Sequence, residues 1–583
     1  MDLCKTILTL LAPGVAAARK SFHAASGRFL ADNGGWAVTN QDVIFPLALL
    51  YTQEGTPCRD DAALLELALR GGDALRDAQD EKGQWEFVKP DGSTWGKTYM
   101  CWSMYHWLEA FGLLRERMDA QRRQNWEEGL HLAFDGSSRE LKERGRVHNI
   151  PAWHAMALVR ADQLLGNPAW RQVGQEMLAR VVAAQDQEGY WPEGGGPTTA
   201  YNTVYVHALG LYYWFTRDER VLPALERATQ FHLNFTWPDG SNVETIDGRV
   251  RHHRTLPWMG HPGFATSPAG RGFVRFLLDR MIENDKGGGS QSRYFAIGKP
   301  GLSGALAATC LHVPPEGPEA QIPQEQPQFA ANFHGRALLR RQDGWMSCLS
   351  GYVNTEQDWL TNFPNRWITD RQNFLSLWHE QSGLLVGGGN SKHQPELSSF
   401  AILAGRACKY VPDQAELRSE SACDSSPQSR STAIGRSILT LTYGSVVCEL
   451  SVQVLGESEA QISFRVVSCG QSVQGVGAIR AAITLPYLDG KPFCAPRRAG
   501  SVQLSAKAEF GHSVAADAPE DARWLSVGPL RLELPPDSNF AYPVYPFNPY
   551  AIDGASTPES AVGVVSTVLD PAGQAKMIRL RIV

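Results

Sequence analysis

Ten cysteines are spread over 583 residues with no Cys-x-x-Cys pair and no regular spacing. That pattern excludes a zinc ribbon and indicates no disulfide framework. There is no His-Glu-x-x-His stretch and no Walker A loop, and Gly475-Val476-Gly477 lacks the third glycine of a dinucleotide fingerprint and lies among strand-like sequence. His252, His253 and His261 make only a loose cluster, so no metal or cofactor is called for, with a structural divalent metal left open. No excess of positive charge exists: 55 Lys and Arg face 61 Asp and Glu, a formal net charge of −6. This argues against a general nucleic-acid binder while leaving room for a local basic groove. No apolar run approaches the length of a membrane span. The first residues, Met1-Asp2-Leu3-Cys4-Lys5, put an acid where a signal peptide has its basic region, and the apolar run from Ile7 to Leu11 is too short. As written, the chain reads as cytoplasmic, or as periplasmic or secreted if a leader has been removed.

What is present is an ordinary globular composition, 43% hydrophobic and 20% charged. The length is too great for one core and predicts at least two domains. Up to about residue 311 the apolar period is helical and strand-like alternation is nearly absent. Leu64, Leu65, Leu67, Ala68 and Leu75 follow Asp60 and Asp61, and Tyr99, Trp102, Tyr105, Leu108 and Phe111 recur at three- and four-residue steps. Further helical runs cover about 151–166, 168–185, 200–216, 218–235 and 270–283. Paired helices of this length stack as bundles, solenoids or toroids. An internal repeat supports stacking: Ala78-Gln79-Asp80-Glu81-Lys82-Gly83-Gln84-Trp85 returns 106 residues later as Ala184 to Trp191 with five of eight positions identical, and Thr236-Trp237-Pro238-Asp239-Gly240 is a weaker echo. The glycine is expected to end the preceding helix, and the tryptophan either to plug the ring of helices or to line the mouth of a cleft.

Five prolines between Val313 and Pro327 break this pattern. Beyond them the period becomes two, with candidate strands at 437–443, 446–454, 461–467, 530–534 and 577–583. The layout is therefore a helical domain over 1–312, a proline-rich linker over 313–328 and an antiparallel β-sandwich over 329–583. Two segments stand out in the helical part, Arg146-Val147-His148-Asn149-Ile150-Pro151-Ala152-Trp153 and Gly194-Gly195-Gly196-Pro197-Thr198-Thr199-Ala200-Tyr201-Asn202, each a polar stretch leading into an apolar helical run. Asn149 and Tyr201 are 52 residues apart, about one helical hairpin with its loops.

These segments and this layout resemble the heparinase II/III-like polysaccharide lyases and their alginate-lyase relatives. In those proteins an Asn, often within Asn-His-Gly-x-x-Trp, neutralises the substrate carboxylate. A Tyr some fifty residues on, in a pattern like Arg-Thr-x-x-x-x-Tyr-Ser, serves as acid and often as base. The resemblance places Asn149 and Trp153 on the first motif, with Ile150 in place of the motif His and His148 one position before the Asn. It places Tyr201 on the second, whose Arg is missing here. It implies an α+β multidomain fold, an N-terminal incomplete (α/α) toroid followed by a C-terminal antiparallel β-sandwich. It also implies β-elimination from a uronic-acid-containing glycan, with an acidic poly- or oligosaccharide as partner, no nucleic acid and no membrane.

Elimination next to a carboxylate needs donors aimed at the charge that develops there. Asn149 offers an amide and His148 an imidazole. Tyr201 could take the proton if nearby positive charge lowered its pKa, and could return it to the leaving oxygen. Tyr201 could equally be an inner-helix aromatic, and Asn149 an N-cap before Pro151; the two roles of Asn149 are compatible. Tyr205 shares a face with Tyr201 and is the reserve base. Trp191 and Glu193 are expected to shape the sugar site, and His252, His253 and Arg254, beside Arg249 and Arg251, to attract acidic sugar. The β-domain candidates for the cleft are His334, His379 and Tyr352. The competing reading is a helical-toroid glycoside hydrolase using paired carboxylates, with Glu193, Asp80, Asp186 and Asp239 as candidates. A third is a non-catalytic carbohydrate-binding scaffold.

Overall fold

The computed structural model describes residues 2–88, 93–144, 146–193, 196–248, 256–286, 302–353, 372–387, 394–404, 407–420, 435–470, 477–486, 493–497, 500–504, 524–546, 560–571 and 573–583. Chain contacts divide into two units. The first comprises Met1–Trp191, Ala200–Leu233 and Leu256–Ile322; the second comprises Pro192–Thr199, Asn234–Thr255 and Pro323–Val583. The division at Ile322 and Pro323 falls inside the proline-rich stretch. Two segments of the helical half, Pro192–Thr199 and Asn234–Thr255, group with the second unit, which no local pattern in the sequence announced.

The helices are α1 (Leu3–Leu11), α2 (Gly14–Ser21), α3 (Ile44–Thr52), α4 (Ala62–Ala78), α5 (Cys101–Leu114), α6 (Ala120–Arg144), α7 (Asn149–Leu165), α8 (Pro168–Ala183), α9 (Thr199–Thr216), α10 (Leu222–Asn234), α11 (His261–Phe264), α12 (Pro268–Lys286) and α13 (Leu302–His312). Their ends follow the local chemistry. Asp61 caps α4, its carboxylate accepting the N–H groups of Ala63 at 2.9 Å and Leu64 at 3.2 Å. Gly166, left-handed at φ 78°, closes α7. The first unit also holds two short hairpins, β1 (Phe22–His23) with β2 (Arg28–Phe29) and β3 (Trp85–Val88) with β4 (Thr94–Thr98). The second hairpin occupies a stretch that the helical period left as a loop.

The repeat is realised as two copies of one turn. In the first, the Trp85 indole N–H donates to Leu75 O at 2.8 Å and Gln79 Nε2 donates to Gly129 O at 2.9 Å. In the second, Trp191 donates to Val181 O at 2.7 Å and Gln185 to Ala224 O at 2.9 Å. The glycines do not end the helices. They sit inside the turn at φ 86° (Gly83) and 92° (Gly189), where a Cβ would meet the Leu132 backbone at 2.6 Å and the Arg227 carbonyl oxygen at 2.2 Å. Both the left-handed backbone and the close approach of α6 to Gly83 and of α10 to Gly189 require glycine.

A salt-linked cluster ties three helices together. Glu109 of α5 is 1% exposed and accepts both forks of Arg160 from α7 at 2.9 and 3.1 Å, with His312 Nε2 from α13 at 2.8 Å. Burial works to raise the Glu109 pKa, but the charges of His312 and Arg160 prevail and hold it well below the usual carboxylate range. In the same last turn of α13, Cys310 is disulfide-bonded to Cys4 of α1, 306 residues away. A single long-range pair is not a framework and leaves no spacing pattern in the sequence. The proline-rich stretch is also more ordered than a linker: Leu3 N–H donates to Pro315 O at 3.0 Å, Arg271 to Pro314 O at 3.0 Å, and Ile322 is fully buried.

The described strands of the second unit all pair antiparallel. A meander runs β5 (Phe329–Phe333), β6 (Ala337–Gln342), β7 (Trp345–Ser350), β8 (Leu375–His379) and β9 (Gly383–Val386). A nine-stranded sheet is built around Arg436–Tyr443, Val446–Gly456, Glu459–Cys469 and Lys576–Ile582, and a five-stranded sheet around Phe400–Ala404, Ala478–Pro486 and Val562–Leu569. Leu439, Leu450 and Phe464 from the first of these pack in one core with Phe400, Ile483 and Val565 from the second. The alternation read in the sequence finds Arg436–Tyr443, Val446–Gly456, Glu459–Cys469 and Lys576–Ile582 to within two residues, and misses β5 to β9 and the five-stranded sheet.

Candidate functional site

Of the candidate residues, His148 and Asn149 lie at the opening of α7 and Tyr201 at that of α9. His148 is the N-cap of α7, extended at φ −156° and ψ 162°, and makes no side-chain capping bond. Asn149 is therefore the first helical residue and not the cap, and it is 5% exposed. Pro151 stands at the third helical position, where its missing N–H costs no intrahelical bond. Tyr201 is the third residue of α9 and half-buried.

Two side chains deeper in these helices pack them together. The Trp153 ring of α7 stacks on the His207 ring of α9, centroids 5.2 Å apart and planes 21° from parallel. Asn149 lies one turn before Trp153, about 6 Å along the axis, and Tyr201 lies about 9 Å before His207. His207 Nδ1 accepts the Gly260 N–H at 3.2 Å, so its other nitrogen carries the proton. Burial, then the neighbouring His261, His106 and His312, hold its pKa well below the ordinary value. On the far side of Trp153 is Trp102, at 4.2 Å between centroids. His154 donates from Nε2 to the Tyr99 carbonyl at 3.0 Å, and burial pushes its pKa down to about 4.

Asn202, beside Tyr201, was not singled out in the sequence. It is fully buried, accepts the Trp191 N–H at 3.1 Å, and donates through Nδ2 to Gly189 O at 3.4 Å and to His232 Nε2 at 3.0 Å. His232 receives that bond neutral, since burial lowers its pKa to about 3. The repeat turn is thereby bolted to the start of α9 beside Tyr201.

Two expectations need correcting. Trp191 is 1% exposed, and Tyr205, also 1% exposed, stacks on it at 5.0 Å with planes 11° apart. Both rings are core, so neither presents a face to a sugar and Tyr205 is not a reserve base. Three of the four candidate hydrolase carboxylates are committed elsewhere. Asp80 accepts the Lys82 and Gln84 N–H groups at 3.0 and 2.8 Å and the Lys97 ammonium at 3.0 Å. Asp186 accepts the Glu188 N–H at 2.8 Å. Asp239 accepts Ser241 N–H and Oγ at 2.9 and 2.6 Å and the Trp378 indole at 2.8 Å. Each of the three shapes its own loop.

In the second unit, Glu193 is 4% exposed, and its N–H donates to Gly196 O at 3.4 Å. Asp247, 1% exposed, accepts the Thr199 N–H at 2.9 Å and hydroxyl at 3.2 Å, which caps α9 from 48 residues away. His334 is exposed on the β5–β6 turn at φ 50°, its ring against Phe333 at 4.6 Å. His379 and Tyr352 are buried: His379 donates to Glu457 O at 3.1 Å, and Arg336 lies over the Tyr352 ring at 5.0 Å. His252, His253 and Arg254 lie outside the described residues. Among the described residues, no group of three or more His, Cys, Asp or Glu is placed to hold a metal ion.

A helical unit followed by stacked antiparallel sheets is the layout of the heparinase-like polysaccharide lyases, and known structures share it. A chondroitin AC lyase mutant from Streptomyces coelicolor A3 superposes with a TM-score of 0.51 at 15% identity, over 99% of this chain and 79% of that one. A Paenibacillus xanthan lyase gives 0.50 at 9% identity, over 99% of this chain but only 56% of its own length. More particularly, residues 36–245 match the family described as the Ulvan lyase N-terminal domain, a segment that contains Asn149 and Tyr201. No curated protein matches the sequence. The superfamily resemblance and the expected toroid-plus-sandwich fold are both borne out.

Proposed function

We propose that this protein cleaves a uronic-acid-containing polysaccharide by β-elimination, with Asn149 and His148 neutralising the sugar carboxylate and Tyr201 moving the proton. The observation that carries the reading is the Trp153–His207 stack. It packs two helices together whose opening turns bear Asn149 and Tyr201. A helix opening carries the positive end of the helix dipole, which favours a carboxylate and the enolate-like charge that grows on it; at α9 the Asp247 carboxylate already takes the Thr199 N–H, which leaves the opening of α7 for this part. Three of the four carboxylates that a hydrolase could use, Asp80, Asp186 and Asp239, are instead occupied in hydrogen bonds. Ulvan is the first substrate to try, because the family match covers the segment that bears both residues.

The test is ultraviolet absorbance of the unsaturated uronate product during incubation with ulvan, xanthan and chondroitin sulfate. Absorbance should rise with at least one of them, and Tyr201→Phe should abolish the rise with the circular dichroism unchanged. New reducing ends without absorbance would overturn the elimination chemistry in favour of hydrolysis, and full activity in Tyr201→Phe would remove that residue from it.

A further inference from the structure

The β1–β2 hairpin carries an arginine whose charge no described residue answers. Arg28 is half-buried on β2, and its guanidinium makes no ion pair and no side-chain hydrogen bond to any described residue. It lies 4.2 Å from the centroid of the Trp36 ring. That indole is fixed, since its N–H donates to Gln41 Oε1 at 3.1 Å. The same oxygen takes the Phe29 N–H at 2.8 Å, and Gln41 Nε2 donates to Gly71 O of α4 at 2.7 Å. Gln41 is fully buried, so the core holds the indole and the indole holds the guanidinium. His23 stands directly opposite Arg28 in the hairpin and shares its face. It is exposed, with Nδ1 bonded to the Ser26 hydroxyl at 2.8 Å. The hairpin's other pair, Phe22 and Phe29, lies on the opposite face.

The place of this pair indicates its use. Asp42, on the 3-10 turn Val38–Val43 that follows Trp36, accepts the hydroxyl of Ser103 in the opening turn of α5 at 2.7 Å. Trp102, next to Ser103, packs at 4.2 Å on Trp153, one turn after Asn149 in α7. The turn that holds Trp36 therefore sits at the end of this unit where α5 and α7 open. Two neighbour spacings, about 16–20 Å, separate it from Asn149. A chain of several sugars covers that span and a single sugar does not. An unpaired guanidinium, kept in place on an indole, offers its N–H groups as a rigid fork, the geometry that takes the paired oxygens of an anionic group.

We propose that Arg28, positioned by Trp36, is an outlying anion subsite for an acidic polysaccharide, taking a carboxylate or sulfate carried several sugars away from the one at Asn149. The indole sets the plane of the guanidinium, and His23 adds a second polar group on the same face of the hairpin. The ligand class rests on the lyase reading above, but the subsite is tested by binding and not by turnover.

The experiment is affinity electrophoresis of the full chain in native gels. The gels are cast with xanthan for carboxylates, dextran sulfate for sulfates, ulvan for both and dextran for neither. Wild type and Tyr201→Phe should be retarded in at least one acidic gel and not in dextran. Arg28→Gln should bind that polymer at least fivefold more weakly while remaining folded by circular dichroism. Arg28→Lys should recover only part of the loss, because an ammonium has no fork. Arg123→Gln, the same charge change at an exposed position of α6, should bind as wild type does. A loss confined to xanthan assigns a carboxylate to the subsite, and a loss confined to dextran sulfate assigns a sulfate. Equal retardation of Arg28→Gln and wild type in every acidic gel would overturn the subsite. So would an equal loss in Arg123→Gln, or no retardation of wild type. If absorbance fails to rise on any polymer while the Arg28-dependent retardation persists, the elimination chemistry falls and the subsite stands.

Discussion

Acidification should unfold this protein through its buried histidines. Burial lowers the pKa of His154 and His261 to about 4 and of His232 to about 3, and places His207 well below its ordinary value. In the unfolded chain each returns to about 6.5. A depressed histidine pKa means that the unfolded state binds more protons, so this stability is fully present above about pH 6.5 and is lost as pH falls toward the folded values. Between pH 7 and pH 5.5 each such histidine removes about 1.2 kcal/mol, and four remove about 5 kcal/mol, comparable to the whole stability of many domains. Glu109 acts in the same direction: its depressed pKa also stabilises the fold at high pH, but that share is lost only below about pH 4.3, outside this window. Urea unfolding followed by circular dichroism at pH 7.0, 6.5, 6.0 and 5.5 should therefore show stability falling by about 4 kcal/mol per pH unit near pH 5.75, equivalent to about three protons taken up on unfolding. His261→Leu should reduce that slope by about one proton. A slope below about 1.4 kcal/mol per pH unit, less than one proton, would refute the claim that these rings are buried neutral.

Other substitutions probe the frame around the candidate site. Asn202→Ala removes a fully buried amide with three hydrogen-bond partners and should cost about 3 kcal/mol in urea unfolding. It should also lower activity on any polysaccharide that the wild type cleaves. Arg160→Met leaves the Glu109 carboxylate buried with His312 as its remaining ionic partner and should cost about 3–5 kcal/mol; a loss below about 1 kcal/mol would show that the carboxylate protonates or finds water.

The sequence was most readable where a local period meets a local signal. The helices that carry Asn149 and Tyr201 begin within two residues of the expected starts, and the strands around residues 436–469 follow their alternation. The duplicated turn was visible because both copies need the same Asp, Gly and Trp for the same bonds. What stayed hidden depends on partners far along the chain. Trp191 could be read as plug or platform until Tyr205 was found stacked on it. Asn202 looked like a neighbour of the tyrosine until His232 and Gly189 closed around it. The β3–β4 hairpin escaped because it is short, carries a register shift between Glu86 and Val88, and lies between two strong helices.

The bond between Cys4 and Cys310 has a practical corollary for handling the protein. It turns the intervening chain into a covalent loop, so a protease nick anywhere inside that loop makes two pieces that stay attached. Such a cut preparation would migrate as a single band on a denaturing gel and separate only once a thiol is added. Apparent intactness under non-reducing conditions is therefore no guide to whether the backbone has been cut.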